Sequence, residues 1–527
     1  MSTGPADRVG SDAVPGKTSP PTSPPRPVVP AGRTLSSLAA VLRTEVRRSG
    51  ATPDPILTGI THDSSALRPG DLFAALPGAA RHGAEFAARA AAAGAAAALT
   101  DPAGAAAVAA AGLPALVVDD PRAVLGTLAS AVYGHPSAAM LVIGVTGTAG
   151  KTSTSYLIDA GLRAAGHTTA LFGTVETRLG DLTVPSTRTT PEATDLHAIL
   201  AVARERGVTA VVMEVSSHAL ALGRVGGVRF AAGGWTNFGR DHLDFHDTAS
   251  DYFAAKARLF DGRCAVDVLN HDDPALAPLR HDATVTFSAA GDPAATWRAE
   301  RVRADGYRQS FTAAGPGGPV EARVSLPGRH NVANALLAIA SLAAAGVDVK
   351  AAAAGIASCT GVPGRLERVD VPGGIVGVVD YAHKTDAIVA ALDALRELSE
   401  EQGGRLICVL GAGGDRDRGK RPLMGAAAAR GADLVVVTDD NPRSEDPAVI
   451  RADVLNGAVA AGAGGVEIIE VAGRRAAIDE AVRRAVPGDV VAVLGKGHER
   501  GQEVDGEVVP FDDRVELADA LRKVAVA

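Results

Sequence analysis

A chain of 527 residues with 46% hydrophobic content has room for three or four domains of about 150 residues, each with its own core. A formal net charge of −8 and the lack of a dominant basic face argue against nucleic acid as a partner. The three cysteines, Cys264, Cys359 and Cys408, are scattered and have no metal-ligand spacing, so a reducing, cytoplasmic location is expected.

Residues 1–33 are rich in Pro, Ser and Gly and lack the apolar stretch of a signal peptide, which predicts a disordered tail. Residues 34–138 read as a small α/β domain. Leucine spacing predicts a helix over Leu35 to Leu42, and the PGD turn predicts a strand over LFAAL. An Ala-rich helix over 86–96 leads to strands AALT and ALVVDD. The Ala-rich runs are too weakly hydrophobic for membrane insertion and read as packed helices. Asp63, Ser64 and Ser65 suit either a polar ligand or turn capping, and their spacing favours capping.

Residues 139–360 form a nucleotide domain around LVIGVTGTAGKTSTSYLIDAGLRAA, residues 141–165. A β-branched strand runs into a loop spaced by Gly144, Gly147 and Gly150. Lys151, Thr152 and Ser153 then open a helix with an apolar face. Glycines let backbone N–H groups approach phosphate, Lys151 adds charge, and the Thr152 hydroxyl suits Mg²⁺. Val145 stands where the strict phosphate-loop pattern has glycine. VTAVVMEVSSHAL predicts a buried strand ending in Glu214, where ligands of α/β sheets gather. Asn237, Arg240, Asp241, His242, Asp244 and His246 then crowd polar groups together. Lys256 follows on the apolar stripe of a helix with Tyr252 and Leu259, so it either snorkels to water or points into a pocket. Residues 324–346 predict a turn and a long helix, with Asn331 as a capping residue.

From 361 to 527, strands alternate with helices, predicting a parallel, doubly wound third domain. Its strands end in polar clusters: Asp380/His383, Asp415/Arg416, Asp440/Asn441/Arg443 and Lys496/His498/Glu499. Such clusters on one sheet edge suit a ligand carrying both signs of charge.

Nine ordered motifs carry a family resemblance: TGTAGKTS, EVSSHAL, TNFGRDHLDFH with Lys256, GRHNVAN, GRLE, DYAH, GGDRDRGKRPLMG, DNPR and GKGHE. From about residue 34 onward the chain resembles the Mur ligases, and DNPR resembles the version that takes meso-2,6-diaminopimelate. The resemblance implies an α/β fold of three domains: a UDP-substrate-binding one, a central P-loop ATPase and a C-terminal Rossmann-like one. It implies that ATP phosphorylates a D-glutamyl carboxylate and an amine then displaces phosphate. By motif, Thr146, Gly147, Thr148, Ala149, Gly150, Lys151, Thr152 and Ser153 match the phosphate loop, and Asn331, Arg365 and Asp380 match nucleotide positions. Thr152, Glu214, His242 and Lys256, the last as a carbamate, match Mg²⁺ ligands. Lys151, Glu214, His242 and Lys256 are the implied catalytic set. Ser64, Thr189, Thr190, Ser216 and Arg224 match contacts to the UDP-N-acetylmuramoyl-dipeptide. Arg416, Asp440, Asn441, Pro442, Arg443, Gly495 and Glu499 match a diaminopimelate pocket. A monomer is expected. Ala149, Leu222 and Lys384-Thr385 depart from frequent family residues. A relative that adds L-lysine, D-Ala-D-Ala or glutamate is the alternative within the family. A P-loop switch is the alternative outside it, and the guanine-reading NKxD signal is missing.

Overall fold

The computed structural model describes residues 24–48, 53–184, 188–462 and 465–526. Three sheets organise it. The first has five strands in the order Val46–Arg47, Ala115–Val117, Ala97–Thr100, Asp71–Ala74 and Gly59–Thr61, parallel except at the first pair.

The second sheet has eleven strands. Its parallel heart places Leu141–Thr146 between Ala210–Glu214 and Phe230–Trp235. These strands are apolar on both faces because helices cover both sides. Leu157, Ile158 and Leu162 of helix Lys151–Ala164 share one core with Leu336 and Ile339 of helix Arg329–Ala344. Helix Val349–Ser358 packs beside them so closely that a Cβ at Gly355 would lie 2.5 Å from the Ala160 carbonyl oxygen.

The third sheet has six strands. Val376–Asp380, Val490–Leu494, Leu406–Leu410, Leu434–Val437 and Glu467–Glu470 run parallel in that order, and Glu367–Val369 pairs antiparallel at one edge. The predicted doubly wound pattern is therefore present, and all four polar clusters leave the carboxyl ends of neighbouring strands.

The structure differs from expectation in three places. The Ala-rich helix is a 3₁₀ turn, Gly83–Phe86, followed by Ala87–Ala92, and it stops before Gly94, whose φ is 93°. Residues 24–33 of the predicted tail are tied down. Arg26 pairs with buried Asp71, the Val28 and Val29 amides donate to the Glu205 carboxylate at 2.9 and 2.8 Å, and Arg33–Thr34 pairs with Ile56–Leu57. The remainder of that tail, residues 1–23, lies outside the described residues. The antiparallel strands Trp297–Asp305, Arg308–Ala314 and Val320–Val324, which extend the central sheet, were not predicted. Among the described residues no helix is long and apolar enough to cross a membrane.

Candidate functional site

The loop after Leu141–Thr146 turns on Gly147, with φ 142°, and Gly150, with φ 83°. A Cβ on Gly147 would fall 1.8 Å from Thr236 Oγ1, so only glycine fits. Asn237 grips the loop from outside: the Ala149 amide donates to its Oδ1 at 3.0 Å and its Nδ2 donates to the Ala149 carbonyl at 3.2 Å. Lys151 folds onto the loop, donating to the Gly147 and Thr148 carbonyls at 2.9 and 3.1 Å. Burial pulls its pKa down while the Glu214 charge opposes that. Thr152 and Ser153, the next two residues of the helix, are buried.

Glu214 is 1% exposed, which excludes a solvent-facing strand end. Parallel pairing sets it opposite Val145, so both strands deliver their carboxyl ends to one edge. Thr152 Oγ1 donates to Glu214 Oε2 at 3.1 Å, and the Thr174 amide and hydroxyl donate to the same carboxylate at 2.9 and 3.1 Å.

Lys256 does not snorkel. It is 1% exposed, donates to the Gly147 carbonyl at 2.8 Å and lies 4.6 Å from the centre of the Tyr252 ring. Burial first, and then the charge of Lys151, drives its pKa well below the ordinary lysine value. His242 has φ 50° and packs its ring 4.8 Å from that of His218. Burial pushes its pKa down to about 4, with the neighbouring Asp241 charge opposing. Asp241 in turn pairs with Lys384 of the C-terminal sheet's loops.

Asn331 does not cap its helix, which begins after Gly328. Its buried amide donates to the Pro327 carbonyl at 2.8 Å and accepts from Asn334 at 3.0 Å, because the helix start packs against the phosphate-loop helix. Arg365 lies 4.5 Å from the Tyr381 ring centre and donates to Thr152 Oγ1 at 3.3 Å. Asp380 Oδ2 accepts from the Leu366 amide at 2.6 Å, and burial raises its pKa.

A second group gathers beside Glu214. Thr190 donates to the Glu214 carbonyl at 2.8 Å, Ser216 caps helix Ser217–Ala221, and Thr189 meets Thr174 at 3.0 Å. Arg224 pairs with Glu192 at 2.7 Å and donates to the Thr190 carbonyl at 3.4 Å. Ser64 stands apart, in the first sheet's loops. There Asp63 Oδ1 accepts from the Ser65 amide at 2.8 Å, which is the capping role the spacing favoured.

In the third sheet, Asn441 Nδ2 donates to Glu499 Oε2 at 3.0 Å, and buried Lys496 bridges Asn441 Oδ1 and Glu499 Oε2 at 2.8 and 3.0 Å. A Cβ on Gly495 would sit 2.5 Å from Asp440 Oδ2. The loop Gly414 packs against the Pro442 carbonyl, and Arg416 is exposed beyond it. Behind Asp440 lies Arg474, fully buried, forked onto Asp513 at 2.7 Å and donating to the Leu494 and Asp439 carbonyls at 3.0 and 3.2 Å. Lys496 and Arg474 organise this edge, yet the sequence marked Lys496 only as part of a strand-end cluster and Arg474 not at all.

Among the described residues no group of three or more His, Cys, Asp and Glu side chains is arranged for a metal ion. The oxygen donors that meet at the phosphate loop are Thr152 and Glu214.

The chain matches the Mur ligase family catalytic domain over residues 56–133, the Mur ligase middle domain over 145–342 and the Mur ligase glutamate ligase domain over 364–497. It is 54% identical to a Streptomyces coelicolor protein, over 95% of this chain and 98% of that one. It is 48% identical to a Corynebacterium glutamicum protein, over 89% of this chain and 93% of that one. Both carry the name UDP-N-acetylmuramoyl-L-alanyl-D-glutamate--2,6-diaminopimelate ligase. A solved structure of a ligase of that name superposes with a TM-score of 0.68 at 31% identity, covering 92% of this chain and 98% of that one.

Proposed function

The chain belongs to the Mur ligase family, and from that premise we propose that it is an ATP-dependent amide ligase adding meso-2,6-diaminopimelate to UDP-N-acetylmuramoyl-L-alanyl-D-glutamate. The product is a peptidoglycan precursor, made in the cytoplasm where ATP and the UDP-linked substrate meet. One observation carries the reading. The phosphate loop, a buried carboxylate and an arginine from the C-terminal sheet's side converge on a single hydroxyl, that of Thr152.

That convergence suits phosphoryl transfer, which needs positioning and charge compensation more than covalent help. Lys151 holds the transferring phosphate, leaving the loop carbonyls for it. Asn331, Arg365 and Asp380 hold the nucleotide. Thr189, Thr190, Ser216 and Arg224 orient the muramoyl-dipeptide, with Ser64 at its uridine end. Asp440, Asn441, Pro442, Arg443, Gly495, Glu499 and Arg416 receive the amino acid.

Mg²⁺ fits the donors. Hydroxyl and carboxylate oxygens 3.1 Å apart at Thr152 and Glu214 suit a cation that takes one or two carboxylates plus phosphate oxygens. Bound there, it supplies charge neutralisation. In this reading His242 and a carbamate on Lys256 would supply ligands to a second ion. A dry site beside Lys151 disfavours the Lys256 ammonium, and the free amine is the form that bonds to CO₂, releasing a proton. A carbamate there would supply oxygen ligands where an ammonium would repel a metal ion. Closure of the C-terminal side over the loop, through Arg365 and Lys384, keeps water from the acyl phosphate before the amine attacks.

The test is ADP release with the UDP-muramoyl-dipeptide and one amino acid at a time. Turnover is expected with meso-diaminopimelate and reduced at least tenfold with L-lysine, because an unmatched polar site rejects an analogue lacking its charge. Equal use of both amino acids would overturn the substrate assignment, and no ADP release with any would overturn the reaction.

A further inference from the structure

A hairpin formed by Gly501–Val504 and Glu507–Pro510 follows the last strand of the third sheet. It folds back on the DNPR loop at several points. The Arg443 amide donates to the Glu503 carbonyl at 3.1 Å, and the Asp505 amide donates to the Arg443 carbonyl at 2.8 Å. The Glu503 amide donates to Asn441 Oδ1 at 3.0 Å. Gln502 Nε2 donates to the Asp440 carbonyl at 2.5 Å.

Arg443 itself has φ 53°, a left-handed conformation that a long side chain adopts only when its surroundings impose it. The backbone bonds from the hairpin supply that restraint. Its guanidinium is held as well: Nε donates to Glu503 Oε2 at 3.0 Å and Nη1 to the Gly414 carbonyl at 2.7 Å. With two of its nitrogens anchored, the fork is restrained from turning about its long stem. Nη2 is the nitrogen without a protein partner among the described residues.

We propose that Glu503 is a positioning residue for amino-acid selection, aiming the Arg443 fork at the distal carboxylate of diaminopimelate. The inference rests on the reading of Arg443 as the residue that meets that carboxylate. Two effects of Glu503 oppose each other. Its negative charge weakens the attraction of Arg443 for a carboxylate, while its anchoring removes rotamer freedom that binding would otherwise have to restrict. The simultaneous side-chain and backbone anchoring makes the second effect dominant. An arginine so fixed presents its free Nη2 donors in one direction, which discriminates by geometry as well as by charge.

The experiment is steady-state kinetics of the full chain and of Glu503→Gln, Glu503→Ala and Arg443→Ala, with meso-diaminopimelate and with L-lysine at saturating ATP and UDP-substrate. Glu503→Ala is expected to raise KM for diaminopimelate about tenfold with kcat little changed, the pattern of uniform binding lost when a side chain must be ordered on binding. The kcat/KM for L-lysine, which has no distal carboxylate, stays level, so the preference ratio falls about tenfold. Glu503→Gln keeps a carbonyl acceptor for Nε and recovers most of the ratio. The KM for ATP stays constant in both, which a general loss of folding would not produce. If both Glu503 variants keep the ratio, or if Glu503→Ala lowers KM for diaminopimelate, the positioning role is wrong. If Arg443→Ala also keeps the ratio, the reading of the pocket fails with it. If Arg443→Ala collapses the ratio while the Glu503 variants do not, only the role of Glu503 fails.

Discussion

Two lysines, Lys256 and Lys496, are both almost completely buried, and their surroundings differ in a way that separates their uses. Lys256 donates to one carbonyl, lies over an aromatic face and feels the charges of Lys151 and Lys384, which Asp241 opposes. Among the described residues no carboxylate pairs with it, and burial outweighs the Asp241 charge, so the neutral amine is favoured there. Lys496 meets the Glu499 carboxylate at 3.0 Å and the Asn441 amide oxygen at 2.8 Å, so its ammonium is both paired and hydrogen-bonded. A buried lysine left uncompensated is poised for chemistry, and one fully compensated is an internal brace. Burial alone distinguishes nothing; the partners decide.

The contrast is broken most severely at Lys256 and its neighbour Lys151. Lys256→Ala and Lys151→Ala are each expected to reduce amide formation by at least ~10²–10³-fold, the loss typical of one electrostatic stabiliser removed from a water-poor site. Only the Lys256 variant should be partly rescued by short carboxylates such as formate or acetate, which replace a carbamate's oxygens. A Lys256→Arg variant with normal turnover would end the carbamate reading, since arginine forms no such adduct.

At Lys496 the expected effect is smaller and falls on stability and amino-acid binding together. Lys496→Met removes the cation that Glu499 and Asn441 share, leaving Glu499 Oε2 the Asn441 amide and Asn441 Oδ1 the Glu503 amide as donors. Breaking a fully buried pair costs about 3–5 kcal/mol, but Glu499 is 34% exposed and water relieves part of that. A loss of about 1–3 kcal/mol is expected by chemical denaturation, with a raised KM for the amino acid and an unchanged KM for ATP. A Lys496→Met protein more stable than the parent would show that the brace costs more than it contributes, and would remove the difference from Lys256.

These two sites also show what could be read in the sequence. The phosphate loop was legible because strand, glycines and helix lie in one local stretch whose periodicity changes at Gly150. Glu214 was legible because the valines around it leave a charge there no ordinary surface position. The choice at Lys256 between snorkelling and a pocket was not, since a stripe position allows both and only the Gly147 carbonyl, far away in sequence, decides it. Asn331 misled for the same reason: an asparagine at a helix start reads as a cap until Asn334 and Pro327 are seen to claim its amide. Arg474 and Glu503 act through partners tens of residues away and carry no local mark. The segment 26–33 looked like tail because its composition is Pro-rich, whereas its order comes from Asp71 and Glu205.

A buried histidine extends the comparison from lysine to a group that titrates near neutral pH, with the smallest expected effect. His197 lies in helix Ala193–Glu205, fully buried, and its Nε2 donates to the Gly226 carbonyl at 2.8 Å. Its Nδ1 is buried without a partner. Like Lys256, it pairs with no carboxylate among the described residues, and burial pushes its pKa down to about 4. The sign follows directly. Below the unfolded value near 6.5 the unfolded chain takes up a proton that the folded chain does not, so stability falls with pH from about 6.5 until the folded group titrates near 4. Linkage gives a loss of about 1 kcal/mol at pH 6 and about 2 kcal/mol at pH 5 relative to neutral pH. Replacement by glutamine, which keeps a donor for the Gly226 carbonyl but does not titrate, removes this share. The measurement is the pH dependence of denaturant unfolding for the parent and His197→Gln between pH 5 and 7.5. The parent should lose about 2 kcal/mol more than the variant between pH 7.5 and 5, so its stability relative to His197→Gln falls with pH. Parallel curves would mean that His197 holds a charge in the folded state, and the rule that partners decide the fate of a buried base would not extend to it.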